Sequence, residues 1–305
     1  MRYLALAFGF VATGAVAQVP RVAVDIAPVH SIVAAVMGDL GAPALIVPPG
    51  ASPHGYAMRP SQAAALDRAD LVVWMGQTLT PWMAGSVESL AGDAVSVVLL
   101  DEPKTRLLAV REGATFADKD HADEDAQGEG GAMPDDHGAG DPHAWLDPDN
   151  AMIWAELIAG KLAGIDPENA AVYSDNAKAF VNEINVLKGE IDAMLDPVRG
   201  RPFVVFHDAY HYFENRFDIE AAGAVAANDA ASPSAARVSE VRSEIARLGA
   251  VCALTEPQFN PAILASIGAA QLGEVDPIGV SLPPGRDQYG TMLTNMATAI
   301  ANCLE

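Results

Sequence analysis

The chain has 305 residues, and 40 acidic residues outnumber 18 basic ones to give a formal net charge of −22. So acidic a chain argues against nucleic acid and anionic membranes as partners, and a cation suits it better. The length of the chain suits two domains of ordinary size.

The first 17 residues have the pattern of a cleaved secretory signal. One basic residue, Arg2, is followed by an apolar run and by an Ala-x-Ala sequence at 15–17. We therefore expect cleavage after Ala17 and export to the periplasm. The alternative is a membrane anchor, but the apolar run is too short to span a bilayer, so we expect no stable membrane insertion.

Strand-like and helix-like stretches alternate through residues 18–165, which we predict to form an N-terminal lobe. Buried strands are predicted at 21–28, 44–48, 71–76 and 94–100, and helices at 31–40, 61–69 and 81–92. This alternation is typical of a parallel sheet with helices on its faces.

An acidic segment interrupts this lobe at about 117–141. It is rich in glycine and has no aromatic residue. Such a composition predicts a disordered loop, because it offers too little apolar surface to fold.

Two helices follow the acidic segment. Asp147 and Pro148 are typical of the start of the first, which extends to about residue 164. The second runs from about 167 to 195, and its apolar residues recur at steps of three and four: Phe180, Ile184, Leu187, Ile191 and Met194. A helix of this length measures about 40 Å. We therefore predict that residues 166–196 bridge two lobes.

Residues 197–305 are predicted to form a C-terminal α/β lobe. Its strands are expected at 203–208, 219–226, 252–259 and 274–279, and its helices at about 234–248, 261–271 and 288–303. The predicted fold is thus α/β, with two mostly parallel, helix-flanked sheets and one long helix between them.

Four side chains that can ligate a metal fall near strand ends or before a helix: His54, His143, His207 and Asp276. Ligands of open α/β sheets collect at the carboxyl ends of the strands, so facing lobes could bring these residues into one cleft. Three neutral imidazoles and a carboxylate suit four-coordinate Zn²⁺. The alternative is four unrelated residues at loop ends.

Five stretches together carry a family resemblance: "GASPHGYAMRPS", "DPHAWLDP", "FVVFHDAYHYFENRF", "LTEPQF" and "VDPIG". Their order resembles that in zinc- and manganese-specific solute-binding proteins of ABC transporters, above all the zinc branch, the ZnuA type. The resemblance covers essentially the whole mature chain. It implies a metal site between two lobes, with His54, His143 and His207 as ligands and Asp276 available as a fourth. It also implies a monomer that is not an enzyme and that delivers Zn²⁺ to an inner-membrane permease.

Two positions bear on the choice of metal. Manganese members of the family usually have a glutamate where this chain has His207, and a third imidazole favours zinc. Some zinc members have a glutamate where this chain has Pro53, so Asp276 or water must complete the site. A manganese or iron carrier of the same family remains an alternative. A secreted zinc hydrolase is less favoured, because the chain has no HExxH motif.

Other histidines are candidates for accessory metal binding. The acidic segment resembles the charged loop of zinc members of the family, and its His121 and His137 could capture zinc weakly. The alternative is a solvated linker without a metal role. His30 follows the first strand and is either an accessory ligand or a structural histidine.

The two cysteines, Cys252 and Cys303, are predicted to form a disulfide, because an exported protein with an even number of cysteines most simply pairs them. The bridge would close a loop of about 50 residues and stabilise the fold by about 4 kcal/mol on the chain-entropy model. The alternative is two buried free thiols.

Overall fold

The structure is a computed structural model that describes residues 19–111, 113–116, 140–226, 234–249, 252–259 and 268–305. The predicted signal peptide lies outside these residues, as do His121 and His137. None of the helices described is long and apolar enough to cross a membrane.

The first lobe contains a four-stranded parallel sheet in the order β2-β1-β3-β4. Its central strands β1 and β3 are wholly buried, as their continuous apolar sequences predict. The strands are β1 (Val22–Val24), β2 (Ala44–Leu45), β3 (Leu71–Trp74) and β4 (Val95–Val98), and the helices are α1 (Ala27–Met37), α2 (Pro60–Asp67) and α3 (Met83–Leu90).

Two helices follow in the chain, α4 (Pro148–Ile165) and α5 (Ala170–Leu195). Helix α4 begins as predicted, with Pro148 in its first turn and the Asp147 carboxylate accepting the Asp149 N–H at 3.0 Å. A short 3₁₀ turn, Pro167–Asn169, connects the two helices.

The second lobe repeats the arrangement of the first, with a parallel sheet in the order β6-β5-β7-β8. Its strands are β5 (Phe203–His207), β6 (Ala221–Ala226), β7 (Cys252–Thr255) and β8 (Gln271–Glu274), and its described helices are α6 (His211–Phe217), α7 (Ala235–Leu248) and α8 (Gln288–Leu304). In each sheet the first and third strands are neighbours at the centre. The chain adds strands on one side of the first strand and then on its other side. The connections therefore diverge and leave a crevice at the carboxyl ends of the two central strands.

Helix α5 is the predicted bridge between the lobes. Its 26 residues give it a length of about 40 Å. It packs against α1 and α4 on the side of the first lobe and against α8 on the side of the second. Phe180, Ile184 and Ile191 are buried along its inner face as predicted, while Leu195 rather than Met194 ends the buried row. The predicted fold class is therefore confirmed.

Direct contacts also join the lobes beside the bridge. The Trp145 indole N–H donates to the Pro277 carbonyl at 2.7 Å, and the Tyr289 hydroxyl donates to the Trp145 carbonyl at 2.7 Å. The Arg216 guanidinium pairs with the buried Asp147 carboxylate at 2.8 Å. One continuous apolar core extends from β1 through α5 to α8. The lobes are thus braced at several points.

Several predicted boundaries were wrong. The strand expected at 274–279 lies earlier, as β8, and residues 275–279 are loop. The strand expected at 21–28 ends at Val24, because α1 begins at Ala27. The helix expected at 261–271 falls mostly outside the described residues, and its last residue begins β8. Helix α6 was not predicted.

The predicted disulfide is confirmed. Cys252 in β7 is bonded to Cys303 in α8, with their Cα atoms 5.6 Å apart and a sequence separation of 51 residues. The bridge fastens the last helix of the chain to a central strand of the second sheet.

Candidate metal centre

A cavity of about 220 Å³ lies where the two lobes meet. Its walls combine segments of both lobes: Gly50, Ala51, Ser52, Pro53, His54, His143, Trp145, His207, Glu256, Gln258, Phe259, Pro277, Ile278 and Val280. The three histidines expected from the sequence all line it.

Three different elements position these histidines. His54 lies in the loop between β2 and α2, His143 immediately precedes a 3₁₀ turn at Ala144–Leu146, and His207 is the last residue of β5. The ring centroids of His54 and His143 are 6.2 Å apart, and those of His143 and His207 are 5.5 Å apart. The fold therefore brings together imidazoles that are distant in sequence.

The spacing of the rings is close to that required by a shared metal ion. A Zn–N bond of about 2.0–2.1 Å places two imidazole centroids roughly 5–5.5 Å apart on a tetrahedral ion. The His143–His207 pair meets this value, and His54 stands farther out. No three His, Cys, Asp or Glu side chains within the described ranges are already gathered tightly enough to hold a metal. Coordination by all three would need the ring of His54 to lie closer to that of His143.

Buried carboxylates contact two of the three imidazoles. The Nδ1 atom of His143 lies 2.7 Å from Asp141 Oδ1, and the Nδ1 atom of His207 lies 2.5 Å from Glu256 Oε1. Glu256 follows the end of β7, the strand beside β5, so this pair occupies the crevice at the centre of the second sheet. The Gln258 amide donates to the other Glu256 oxygen at 2.8 Å.

Asp276 lies two residues beyond β8, not at the strand end where it was expected. Its two carboxylate oxygens accept the backbone N–H groups of Val280 and Ser281 at 2.9 and 2.8 Å. Asp276 is not among the residues that line the cavity, although Val280 is. Its visible role is to hold the loop that forms one cavity wall.

His30 lies away from the cavity lining, on α1. Its Nε2–H donates to the Pro43 carbonyl at 3.2 Å, and burial lowers the pKa of its imidazole. These contacts fit the structural alternative, in which His30 ties α1 to the segment before β2.

Aromatic rings shield the histidines. The Trp145 ring centroid lies 5.2 Å from that of His143, and the Phe259 centroid lies 5.8 Å from that of His207. Phe259 also stacks on Phe206 at 4.0 Å. Trp145 also lines the cavity, whereas Tyr210 is buried without lining it.

Four residues of the centre were not assigned from the sequence: Asp141, Glu256, Gln258 and Phe259. Only their positions in the sequence pointed to them. Asp141 begins the histidine-bearing "DPHAW", and the other three residues lie together in "TEPQF". Their contacts with the histidines depend on chain segments that only the folded structure brings together.

Two parallel-sheet lobes, one bridging helix and a histidine-lined cavity at their junction define a class of two-lobed α/β proteins with a ligand site between the lobes. The family model described as "Zinc-uptake complex component A periplasmic", ZnuA, matches residues 22–303. The chain therefore belongs to the ZnuA family.

Curated relatives agree with this assignment over almost their full length. The chain is 41% identical to the high-affinity zinc uptake system protein ZnuA of Paracoccus denitrificans (strain Pd 1222), over 99% of this chain and 97% of that protein. It is 38% identical to the protein of the same name from Brucella abortus (strain 2308), with the same coverage.

Solved structures are similar in fold. A crystal structure of ZnuA superposes with a TM-score of 0.75 at 25% identity, covering 94% of this chain and 99% of the other. A zinc-bound ZnuA deletion mutant gives a TM-score of 0.72 at 25% identity, covering 94% and 98%.

Proposed function

We propose that this protein captures Zn²⁺ in the periplasm, in the cavity between its lobes, and delivers it to an ABC-type zinc importer. The observation that carries the proposal is the convergence of His54, His143 and His207 on one cavity from both lobes. The names of the relatives support zinc as the cargo.

The ligand chemistry favours zinc over manganese or iron. Imidazole nitrogen is a borderline-soft donor that suits zinc, while manganese prefers sites rich in oxygen. We propose Asp276 as the fourth ligand, with water as the alternative. Each Asp276 oxygen accepts one backbone N–H, and each retains a lone pair that can bind a metal.

Loading is expected to need only a small movement. His54 lies in a loop, whereas His143 and His207 are held at the ends of packed elements. Because α5 and the continuous core brace the lobes, we expect His54 and its loop to complete the site without wide opening of the lobes.

A carrier explains the site better than a hydrolase does. A catalytic zinc site needs a nearby general base. Glu256 is the glutamate that lines the cavity, and its two oxygens are engaged by His207 and by Gln258. It is thus held as a structural partner of a ligand and is not directed at a substrate.

Metal analysis of exported protein purified without added metal tests the proposal. We expect about one zinc per chain and little manganese or iron. Protein that contains mainly manganese or iron would support the alternative carrier. Zinc-dependent turnover of ester or peptide substrates would support the hydrolase.

A further inference from the structure

The imidazoles of His143 and His207 each contact one buried carboxylate through Nδ1. Asp141, at 3% exposure, makes this contact on the side of the first lobe, and Glu256, at 1%, makes it in the second. Neither carboxylate belongs to the proposed ligand set.

The chemistry of these contacts determines which ring nitrogen binds metal. An ionised carboxylate only accepts hydrogen bonds, so the Nδ1 atom that faces it must carry the proton. A neutral imidazole protonated at Nδ1 coordinates through Nε2. Each contact therefore selects one tautomer and fixes the angle of the ring before any metal arrives.

The carboxylates are themselves held in place. The Asp141 backbone is fixed at both ends, because its N–H donates to the Leu108 carbonyl at 2.8 Å and its carbonyl accepts the Tyr212 hydroxyl at 2.8 Å. Glu256 is fixed by β7 and by the Gln258 amide. Supports of this kind hold two of the three imidazoles in place before the metal arrives.

The two carboxylates can also compensate the charge of a bound metal ion. Three neutral imidazoles contribute no charge, and the Asp276 carboxylate proposed as the fourth ligand offsets only one unit of the +2 charge of a zinc ion. Uncompensated charge in a buried site is costly. Two buried anions in contact with two of the ligands would offset that charge. One anion comes from each side of the cavity, so each lobe presents its own prepared imidazole.

We propose that Asp141 and Glu256 are positioning residues that fix His143 and His207 for zinc through Nδ1 and offset the charge of the bound ion. This inference rests on the proposed zinc-binding function. It adds two residues to the site without adding a ligand.

The test uses the variants Glu256→Gln and Asp141→Asn in the full mature chain. Each should lower zinc affinity about 10–100-fold, the range typical of outer-shell partners, in competition titrations with a chromophoric chelator. Glu274→Gln on the neighbouring strand β8 and Asp39→Asn after α1 are matched controls at exposed positions, and they should bind zinc like the wild type. Equal melting temperatures would show that a weakened variant is folded.

A spectroscopic readout separates positioning from general damage. Long-range ¹H–¹⁵N spectra of the zinc-free wild type should show His143 and His207 protonated at Nδ1. In each variant the histidine that lost its carboxylate should change its tautomer balance while the other histidine keeps its own. Nε2–H tautomers in the wild type would overturn the proposal, as would variants that bind zinc with wild-type affinity. A wild type that does not bind zinc tightly would instead overturn the proposed function.

Discussion

At the scale of single residues, the proposed centre depends on imidazoles that lie far apart in sequence. His54 and His207 are 153 positions apart by their numbers, yet both line one cavity with His143. The sequence allowed this grouping to be predicted, because strand ends and loops before helices meet at one edge of an α/β sheet. The carboxylates behind the rings could not be predicted, since a buried pair such as His207 and Glu256 depends on the register of neighbouring strands.

We predict that an alanine substitution at His54, His143 or His207 lowers the affinity for zinc. The decrease should exceed the loss of affinity of about 10–100-fold that is typical when an outer-shell partner is removed. Loss of one imidazole leaves a tetrahedral ion without a ligand that the other residues cannot replace. Chelator competition measures the effect. His30→Ala, at a histidine outside the cavity lining that contacts the Pro43 carbonyl, is the control. Unchanged titrations for all three ligand variants would contradict the assignment.

A second prediction at this scale concerns Asp25, which follows β1 in the first lobe. Burial raises the pKa of its carboxyl group from 3.8 to about 7, although the N–H groups of Ile26 and Met75 stabilise the anion. A pKa raised by folding means that the folded state favours the protonated form. Asp25 therefore contributes stability below about pH 4, and this contribution is lost as the pH rises through about 7.

Melting temperatures of zinc-free wild type and Asp25→Asn, measured from about pH 4 to 8 around the two pKa values, test this prediction. The wild type should lose stability relative to the variant as the pH rises, because only the wild type has to ionise the buried group. A difference in melting temperature that does not change with pH would show that Asp25 does not titrate in this range.

At the scale of elements, the accuracy of the sequence predictions follows from length and burial. The 26 residues of α5 repeat their apolar spacing often enough to identify a long helix. The seven residues of α6 are too few for such a pattern. Strand β8 lies at the sheet edge and is mostly exposed, so its sequence lacks the apolar run that is typical of a buried strand.

The disulfide leads to a prediction about elements. Reduction of Cys252–Cys303 should lower the melting temperature, since the bridge closes a long loop and contributes about 4 kcal/mol on the chain-entropy model. Zinc stoichiometry should stay unchanged, because the bridge joins β7 to α8 and neither cysteine lines the cavity. Calorimetry with and without reductant measures both quantities. Loss of zinc binding on reduction would show that the bridge also supports the site.

At the scale of the whole molecule, the lobes share one core and are connected by the bridging helix. The described chain resumes at residue 140, three residues before His143, and Asp141 is held by Leu108 and Tyr212. The Asp141 contact of His143, and the contacts that hold Asp141, thus all lie within the described residues.

We predict that deletion of residues 118–139 leaves the tight zinc site intact and removes weaker binding by His121, His137 and nearby carboxylates. Calorimetry should show one tight and one weaker event for the full mature chain and only the tight event for the deletion. Loss of the tight event would mean that the segment supplies a ligand, and identical isotherms would mean that it is a linker without a metal role.

The most direct test of the whole account is a zinc competition titration of the mature protein against a chromophoric chelator, repeated with excess manganese. The account predicts one tightly bound zinc per chain, retained when manganese is present in large excess, because imidazole nitrogens favour zinc. Displacement of zinc by manganese, or the absence of a tight zinc site, would contradict it.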